Sequence, residues 1–214
     1  MITYIVPENI DDRILAKTAS LLGNGGIVAI PTDTSWSVVC SMDSKEGIKR
    51  LKVLSQERDE RHFTLLCSDI SQFGEFCSLD NTRFRLIKRL SPGPYVFILK
   101  TLLGTEKALG LRRSEIGIRL PDYPVPLALI NTLGCPLYGI TAKRTMLADE
   151  RNHDSEDLWT EEALFEGGWE LEDIQGLDAI LDPGEDRNRI YSTVLDLSSG
   201  EVQIVRQGAG HWPV

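Results

Sequence analysis

The stretch GGIVAIPTDTSW, residues 25–36, decides the fold. Its apolar, β-branched centre predicts a buried strand, and Pro31 ends that strand because proline has no N–H to donate to a continuing ladder. Thr32, Asp33 and Thr34 follow at once and supply two hydroxyls and a carboxylate. Since ligands of α/β proteins commonly bind at strand ends, the stretch predicts a binding loop. The alternative interpretation is a polar turn that only connects two elements.

Helical and strand patterns alternate along the rest of the chain. Strands are predicted at 3–6, 27–30, 38–40, 63–67, 95–99, 116–120, 137–141, 179–181, 192–197 and 202–205. Helices are predicted at 9–22, at 70–76, from 124 or 125 to 133, after a cap at Asp43 or Ser44, after a cap at Asn81 or Thr82, and as a candidate at 160–165. The interleaving predicts a single α/β domain with a mixed, twisted, open sheet and flanking helices. The late strands look antiparallel, and the last two are predicted to form a hairpin.

Composition limits the classes of function. The chain has 214 residues, of which 42% are hydrophobic, and no apolar run has the length of a membrane span. No stretch resembles a signal peptide, so we expect a cytoplasmic protein without a membrane partner. The four cysteines form no CxxC pair, and no His/Cys cluster has the spacing of a zinc site. We therefore expect reduced, buried thiols and no metal site.

The charge is unevenly distributed. A net charge of −9 argues against a broad surface for duplex nucleic acid, although a local basic cleft remains compatible with it. The acidic excess lies mainly between Asp149 and Asp186, and we interpret its part at 149–176 as an insertion within the domain. Basic residues cluster in two places, at Lys49, Arg50, Lys52, Arg58 and Arg61, and at Arg83, Arg85, Lys88 and Arg89.

Six landmarks share their order with a known family. They are GGIVAIPTDT (25–34), SPGP (91–94), IGIRLP (116–121), YGIT (138–141), STVLDL (192–197) and VRQGAG (205–210). Together they resemble the YrdC/YciO family, the threonylcarbamoyl-adenylate synthase superfamily, over residues 8–210. The segments HFTLLC (62–67) and YVFILK (95–100) are more similar to the YciO branch. The resemblance implies a YrdC-like fold with a concave, positively charged cleft.

The resemblance also implies ligands and chemistry. The synthase branch makes threonylcarbamoyl-adenylate from threonine, bicarbonate and ATP, and the product is used in tRNA modification. An active member would be a nucleotidyltransferase resembling L-threonylcarbamoyladenylate synthase. It would hold no tightly bound cofactor, and Mg²⁺ would arrive with ATP. The expected partner is ATP or AMP. The alternatives are an RNA-binding protein that uses the same cleft and a regulatory protein on a non-catalytic scaffold.

The site residues are transferred from the family motifs one by one. Thr34 and Ser192 match hydroxyls on the threonine side. The nucleotide-side matches are Arg119, Thr141, Lys143 and Arg206, and further candidates are Thr32, Arg58, Arg61 and Tyr123. Guanidinium groups pair with phosphate or carboxylate, and hydroxyls orient an amino acid, so these residue types suit an anionic substrate pair. No catalytic residue is assigned.

Three positions depart from the family pattern. The family's Lys-x-Arg pair falls on Ser55 and Glu57, which replaces two cations with a hydroxyl and an anion and weakens the expected phosphate binding. The Ser-x-Asn motif falls on Thr141 and Lys143, and the usual histidine after Arg-x-Pro falls on Tyr123. The lost Lys-x-Arg pair makes catalysis the weakest part of the resemblance.

Each candidate also has a structural interpretation. For Arg119 the alternative is an ion pair with Asp33 or Asp122, and for Ser192 it is the start of a strand. For Arg206 the alternative is a surface residue, and for Lys143 it is a solvated lysine. Ser55 and Glu57 are interpreted as helix-end residues. Trp36 has two interpretations, a ring that stacks on a base and a core aromatic, and we favour the second.

Overall fold

The computed structural model describes residues 1–55, 63–147 and 159–213. Within them the chain forms one ten-stranded mixed sheet flanked by helices, the α/β architecture expected from the sequence. The strands are β1 (Ile2–Tyr4), β2 (Val28–Ile30), β3 (Ser37–Ser41), β4 (Thr64–Leu66), β5 (Tyr95–Lys100), β6 (Glu115–Arg119), β7 (Leu137–Thr141), β8 (Ala179–Asp182), β9 (Thr193–Asp196) and β10 (Gln203–Arg206).

The described α-helices are α1 (Asp12–Gly23), α2 (Lys45–Ser55), α3 (Phe73–Phe76), α4 (Asn81–Leu90), α5 (Leu103–Leu109) and α6 (Pro124–Leu133). Short 3-10 turns cover Pro7–Asn9, Ile70–Gln72, Arg144–Met146, Glu161–Ala163 and Gly168–Asp173. Asp11 caps α1 by accepting from the Arg13 backbone N–H at 2.8 Å. Gly134 ends α6 in the left-handed region at φ 81°, which glycine adopts without steric penalty.

The sheet order is β1-β8-β2-β3-β7-β4-β6-β5-β9-β10. Strand β9 pairs antiparallel with β10, as the hairpin prediction requires. The expectation that the late strands are antiparallel is wrong for β8, which runs parallel to both β1 and β2, and β9 also runs parallel to β5. Long connections return these strands to the sheet, so their direction does not follow from their nearness in sequence.

One face of the sheet carries the larger core. Alternate residues of the strands, such as Leu65, Phe97 and Ile118, pack there against Leu51 of α2 and Ile87 of α4. Because successive side chains of a strand point to opposite faces, every second residue enters this core and the others point to the opposite face.

The opposite face is covered over only half of its width. Leu66 and Leu137 lie there in a second core with Leu22 of α1 and Leu129 of α6. Thr64 lies two residues from Leu66 on the same strand and so shares this face, but it lines an open cleft instead. The uncovered part of this face, to which β4, β5, β7, β9 and β10 contribute, therefore forms the floor of a concave site.

Two local predictions differ from the structure. Asp80, and not Asn81 or Thr82, caps α4, because its carboxylate accepts from the Arg83 backbone N–H at 2.8 Å. The 160–165 candidate helix is reduced to the 3-10 turn Glu161–Ala163. Leu164 pairs there with Lys143 in an isolated antiparallel bridge, which takes the backbone out of a helix.

Burial accounts for the cysteines. Cys40, Cys67 and Cys77 are buried, Cys135 is partly buried, and all four are free thiols. Burial raises the pKa of Cys40 to about 12 and that of Cys77 to about 12. Among the described helices, none is long and apolar enough to cross a membrane.

Candidate functional site

The open half of the sheet holds a cleft of about 330 Å³. Its floor comes from β4, β5, β7, β9 and β10, and Val96, Ile98 and Val194 form apolar parts of it. Most of its polar lining lies at strand ends or just beyond them. The polar lining residues include Thr64, Thr141, Lys143, Ser192, Asp196 and Arg206. Four of the six residues expected to bind threonine or nucleotide therefore lie in a single cleft.

Arg206, the last residue of β10, is hydrogen-bonded to Ser192, the residue before β9. Its Nε and Nη2 donate to the Ser192 carbonyl oxygen at 3.0 and 2.9 Å, and Nη2 also donates to Ser192 Oγ at 3.2 Å. Burial lowers the pKa of the Arg206 guanidinium to about 10. The electrostatic interaction with Tyr191 opposes this shift, and the charge of Arg119 adds to it. Arg206 therefore stays cationic at neutral pH and directs charge into the cleft.

Two aromatic rings lie against the cations of the cleft. Lys143 Nζ is 4.0 Å from the centroid of the Trp159 ring, and the Arg206 guanidinium carbon is 4.5 Å from the same centroid. Arg206 also lies 4.7 Å from the Tyr191 ring, and the two rings meet edge to face at 5.3 Å. We call Lys143, Trp159, Tyr191, Ser192 and Arg206 the cation shelf.

Arg119, at the end of β6, is enclosed by the loop after β2. Its Nη2 donates to Asp33 Oδ1 at 2.6 Å, its Nη1 to Thr34 Oγ1 at 3.1 Å and its Nε to the Gly93 carbonyl at 3.2 Å. Burial lowers the pKa of Arg119, while the charge and hydrogen bond of Asp33 raise it. We call Asp33, Thr34, Gly93 and Arg119 the arginine corner. Of the two acidic partners considered for Arg119, the structure selects Asp33, and Asp122 is exposed.

Internal hydrogen bonds fix the loop itself. Thr32 Oγ1 donates to the Ser35 carbonyl at 2.6 Å and accepts from the Thr34 backbone N–H at 3.2 Å. The two threonine hydroxyl oxygens are 3.2 Å apart. Asp33 Oδ2 is buried and has no hydrogen-bond partner among the described residues. The loop thus presents a rigid arrangement of oxygens around Arg119.

Tyr123 lies outside the lining of the cleft, beside Arg187. The Arg187 guanidinium carbon is 4.5 Å from the Tyr123 ring, and Nη1 donates to the Tyr123 hydroxyl at 3.3 Å. Nη2 donates to the Thr32 carbonyl at 2.7 Å, so Arg187 supports the binding loop from behind. Burial raises the pKa of Tyr123, and the charge of Arg187 opposes the shift.

Several other predictions can now be placed. Trp36 is fully buried, and its Nε1 donates to the Glu166 carbonyl at 2.9 Å, so it is a core aromatic. Ser55 is the last residue of α2, and its hydroxyl donates to the Lys52 carbonyl at 3.1 Å, as expected of a helix-end residue. Arg58 and Arg61, together with Glu57, lie outside the described residues.

Sequence reasoning missed Trp159, Tyr191 and Arg187. Trp159 lies next to an acidic stretch, and a large aromatic ring in such a polar segment is a signal by which sequence reasoning could have found it. Tyr191 precedes the STVLDL landmark directly. The described residues contain no group of three or more His, Cys, Asp or Glu side chains able to hold a metal ion.

Comparisons with known proteins agree with this fold. The Sua5_yciO_yrdC family model, described as "Telomere recombination", matches residues 20–208. The chain is 30% identical to Escherichia coli (strain K12) YciO over 208 residues, which is 97% of this chain and 95% of that protein. The crystal structure of E. coli YciO matches with a TM-score of 0.82 and 29% identity, covering 99% of this chain and 97% of the other.

Two further proteins are similar at greater distance. Threonylcarbamoyl-AMP synthase of Mus musculus is 27% identical over 196 residues, which is 91% of this chain and 66% of that protein. The crystal structure of P. abyssi Sua5 complexed with L-threonine has a TM-score of 0.80 and 20% identity, covering 97% of this chain and 57% of the other. At 20% identity, the similarity to P. abyssi Sua5 shows a shared fold alone.

Proposed function

Because the chain belongs to the Sua5/YciO/YrdC family, we propose that its cleft binds an adenine nucleotide, with the phosphates on the cation shelf and threonine beside Ser192. The family predicted from the six landmarks is therefore confirmed, as is the greater similarity to YciO. The function itself rests on one observation. Lys143 and Arg206, from different parts of the chain, line the same cleft and contact the same indole.

The arrangement suits an anion that carries more than one charge. A phosphate oxygen accepts strong, short hydrogen bonds from a guanidinium or ammonium group, and these bonds are stronger in a partly buried cleft than in water. Ser192 and Thr141 add hydroxyls on the same floor. In the proposed complex Mg²⁺ would arrive with the nucleotide and would offset part of the charge of its phosphates.

Related proteins support the choice of ligand. One relative is named Threonylcarbamoyl-AMP synthase, and the P. abyssi Sua5 structure is a complex with L-threonine. In the corresponding reaction a carbamate oxygen of N-carboxythreonine bonds to the α-phosphorus of ATP. The bond from that phosphorus to the bridging oxygen breaks, and pyrophosphate leaves with the electron pair. We expect slow turnover here, because Ser55 is neutral where the family pattern has a cation.

Calorimetric titration tests the binding. ATP with Mg²⁺ is added to the wild-type chain, to Arg206→Ala, and to Arg85→Ala as a control that removes the same charge from an exposed position on α4. We expect Arg206→Ala to weaken ATP binding by roughly tenfold or more and Arg85→Ala to leave it unchanged. Equal affinities in all three proteins would overturn the proposed site.

Pyrophosphate release separates binding from catalysis. The reaction contains ATP, bicarbonate and threonine, and the control omits threonine. Threonine-dependent release that is lost in Arg206→Ala identifies an adenylate-forming enzyme. Tight ATP binding without such release identifies a nucleotide-binding protein that has lost the reaction.

Single-stranded RNA is the second candidate ligand. Trp159 and Tyr191 flank Arg206, and aromatic rings beside an arginine are typical of surfaces that stack unpaired bases. The net charge of −9 disfavours a long contact with phosphates. Titration with poly(U) at two salt concentrations decides the point, since RNA binding through the cleft must weaken with salt and with Arg206→Ala.

A further inference from the structure

Trp159 covers the place where an anion would reach both cations of the cleft. Its ring centroid lies 4.0 Å from Lys143 Nζ and 4.5 Å from the Arg206 guanidinium carbon. The Lys143 side chain is only 1% exposed, whereas Trp159 is 40% exposed. The indole thus lies on the solvent side of a nearly buried ammonium group. A phosphate group that contacts both cations has to share or take this position.

The segment that carries Trp159 is anchored to the sheet beyond the indole. Leu164 pairs with Lys143 in a backbone bridge, and Leu164 and Phe165 are both fully buried. These residues hold the segment to the sheet at a point beyond the 3-10 turn Glu161–Ala163. The indole itself precedes the turn, and its ring contacts among the described residues include Lys143, Arg206 and Tyr191. The backbone bridge and the buried side chains that anchor this segment therefore lie at Leu164 and Phe165 and not at the indole.

Competition between the indole and a phosphate favours the phosphate. A cation near an aromatic face is attracted by the ring quadrupole, and this attraction is modest at partly exposed sites. A charge-assisted hydrogen bond from a guanidinium to a phosphate oxygen is directional and stronger. The contacts of Trp159 are thus strong enough to exclude weak anions and too weak to exclude a di- or triphosphate.

We propose that Trp159 is a specificity-determining residue that covers the cation pair and favours a ligand that carries both phosphates and a planar base over one that carries phosphates alone. A bare pyrophosphate displaces the indole, and it offers no ring contact to replace those that the indole made with the two cations. A nucleotide displaces it and restores ring contact by placing its base against the freed indole. Trp159 then lowers the affinity for pyrophosphate more than the affinity for ATP. This inference rests on the proposed nucleotide-binding function.

The experiment compares pyrophosphate and ATP in four proteins. They are the wild type, Trp159→Ala, Trp159→Phe, and Trp169→Ala as a control for loss of an exposed tryptophan elsewhere. Calorimetry measures both dissociation constants. We expect Trp159→Ala to bind pyrophosphate on the order of tenfold more tightly and ATP no more tightly than the wild type. Trp159→Phe should retain most of the discrimination, and Trp169→Ala should retain all of it.

Fluorescence supplies a readout that would not change on addition of ligand if Trp159 had only a structural role. The wild-type minus Trp159→Phe difference spectrum reports the environment of the indole, and we expect it to change when ATP is added. If Trp159→Ala binds both ligands as the wild type does, or binds both more weakly, the covering role is wrong. If Arg206→Ala still weakens ATP binding in that case, the nucleotide site stands. If none of the four proteins binds either ligand, the proposed function fails together with the inference.

Discussion

The arginine corner and the cation shelf use the same residue type in opposite ways. In the corner, the Arg119 guanidinium is buried and donates to a carboxylate, a hydroxyl and a carbonyl of the protein. On the shelf, Arg206 donates to Ser192 and otherwise meets the faces of Trp159 and Tyr191. The donors of the corner are committed to the fold, whereas the Arg206 guanidinium on the shelf meets aromatic faces, which are weaker partners than a charged acceptor.

The difference divides the family-derived residues into two groups. Arg119 and Thr34 shape and position the loop after β2, and Lys143, Ser192 and Arg206 face the cleft. A change in the corner should therefore appear first in stability. A change on the shelf should appear first in ligand binding, as the titrations of Arg206→Ala and Trp159→Ala are designed to detect.

Asp33→Asn is expected to have the largest effect on stability. It removes the charge that compensates Arg119, whose side chain is 5% exposed, and leaves a buried cation with a neutral partner. Breaking a buried pair in this way typically destabilises by roughly 3–5 kcal/mol. Urea unfolding measures the free energy of unfolding, and Asp122→Asn, at the exposed acidic neighbour, should leave it nearly unchanged.

A double variant sharpens the same comparison. Asp33→Asn with Arg119→Met removes both charges, so it should recover part of the stability that Asp33→Asn loses. If Asp33→Asn unfolds like the wild type, Arg119 does not depend on its pair, and the corner is then as open to a ligand as the shelf.

Gly208→Ala is the second prediction and affects the backbone beneath the shelf. A Cβ at Gly208 would lie 2.2 Å from the Tyr191 carbonyl oxygen and 2.6 Å from the Ser192 backbone. These are backbone atoms that cannot rotate away, so we expect a loss of about 1–3 kcal/mol in the free energy of unfolding. Gly200→Ala is the matched control, since nothing lies within 4 Å of its added Cβ. Equal unfolding midpoints for both variants would show that the segment after β10 yields without loss.

The sequence predicted best what depends on local chemistry. Pro31 ends a buried strand, Gly134 ends α6, and β7 covers the predicted 137–141 because its alternation and its flanks are clear. The YrdC-like fold followed from landmarks, each of which is tied to a strand end. The direction of β8 could not be predicted, because it depends on pairing with β1 and β2 across long connections.

Helix α5 and the cation shelf could not be predicted, because both depend on tertiary contacts. Helix α5 contains Gly104 and a weak apolar period, and it is held by Leu109 in the core and by a Thr105 hydroxyl that donates to the Phe76 carbonyl. The cation shelf brings Trp159 onto Lys143 and Arg206 from positions far apart in the chain. The residue types at these positions can be identified in the sequence, but their contacts cannot.

The third prediction concerns pH and is the smallest. Glu170 Oε1 accepts from the Glu166 and Gly167 backbone N–H groups at 2.8 and 3.0 Å, and its carboxylate pairs with Arg144, the neighbour of Lys143. Burial acts to raise the pKa of Glu170, but these hydrogen bonds and Arg144 together lower it below the ordinary value of 4.5. A carboxyl whose pKa is lower in the folded chain adds stability above the unfolded value and loses it as the pH falls through the folded one.

The stabilisation by Glu170 should therefore be complete at pH 6 and decline below about pH 4.5. Glu170→Gln should lower the free energy of unfolding by roughly 1 kcal/mol at pH 6, and its difference from the wild type should shrink toward pH 3. Glu172→Gln, at an exposed neighbour, is the control. Because Glu170 links Arg144 to the segment that carries Trp159, acid should loosen the shelf before it unfolds the sheet. A difference that stays constant from pH 6 to pH 3 would show that Glu170 acts through packing and not through its charge.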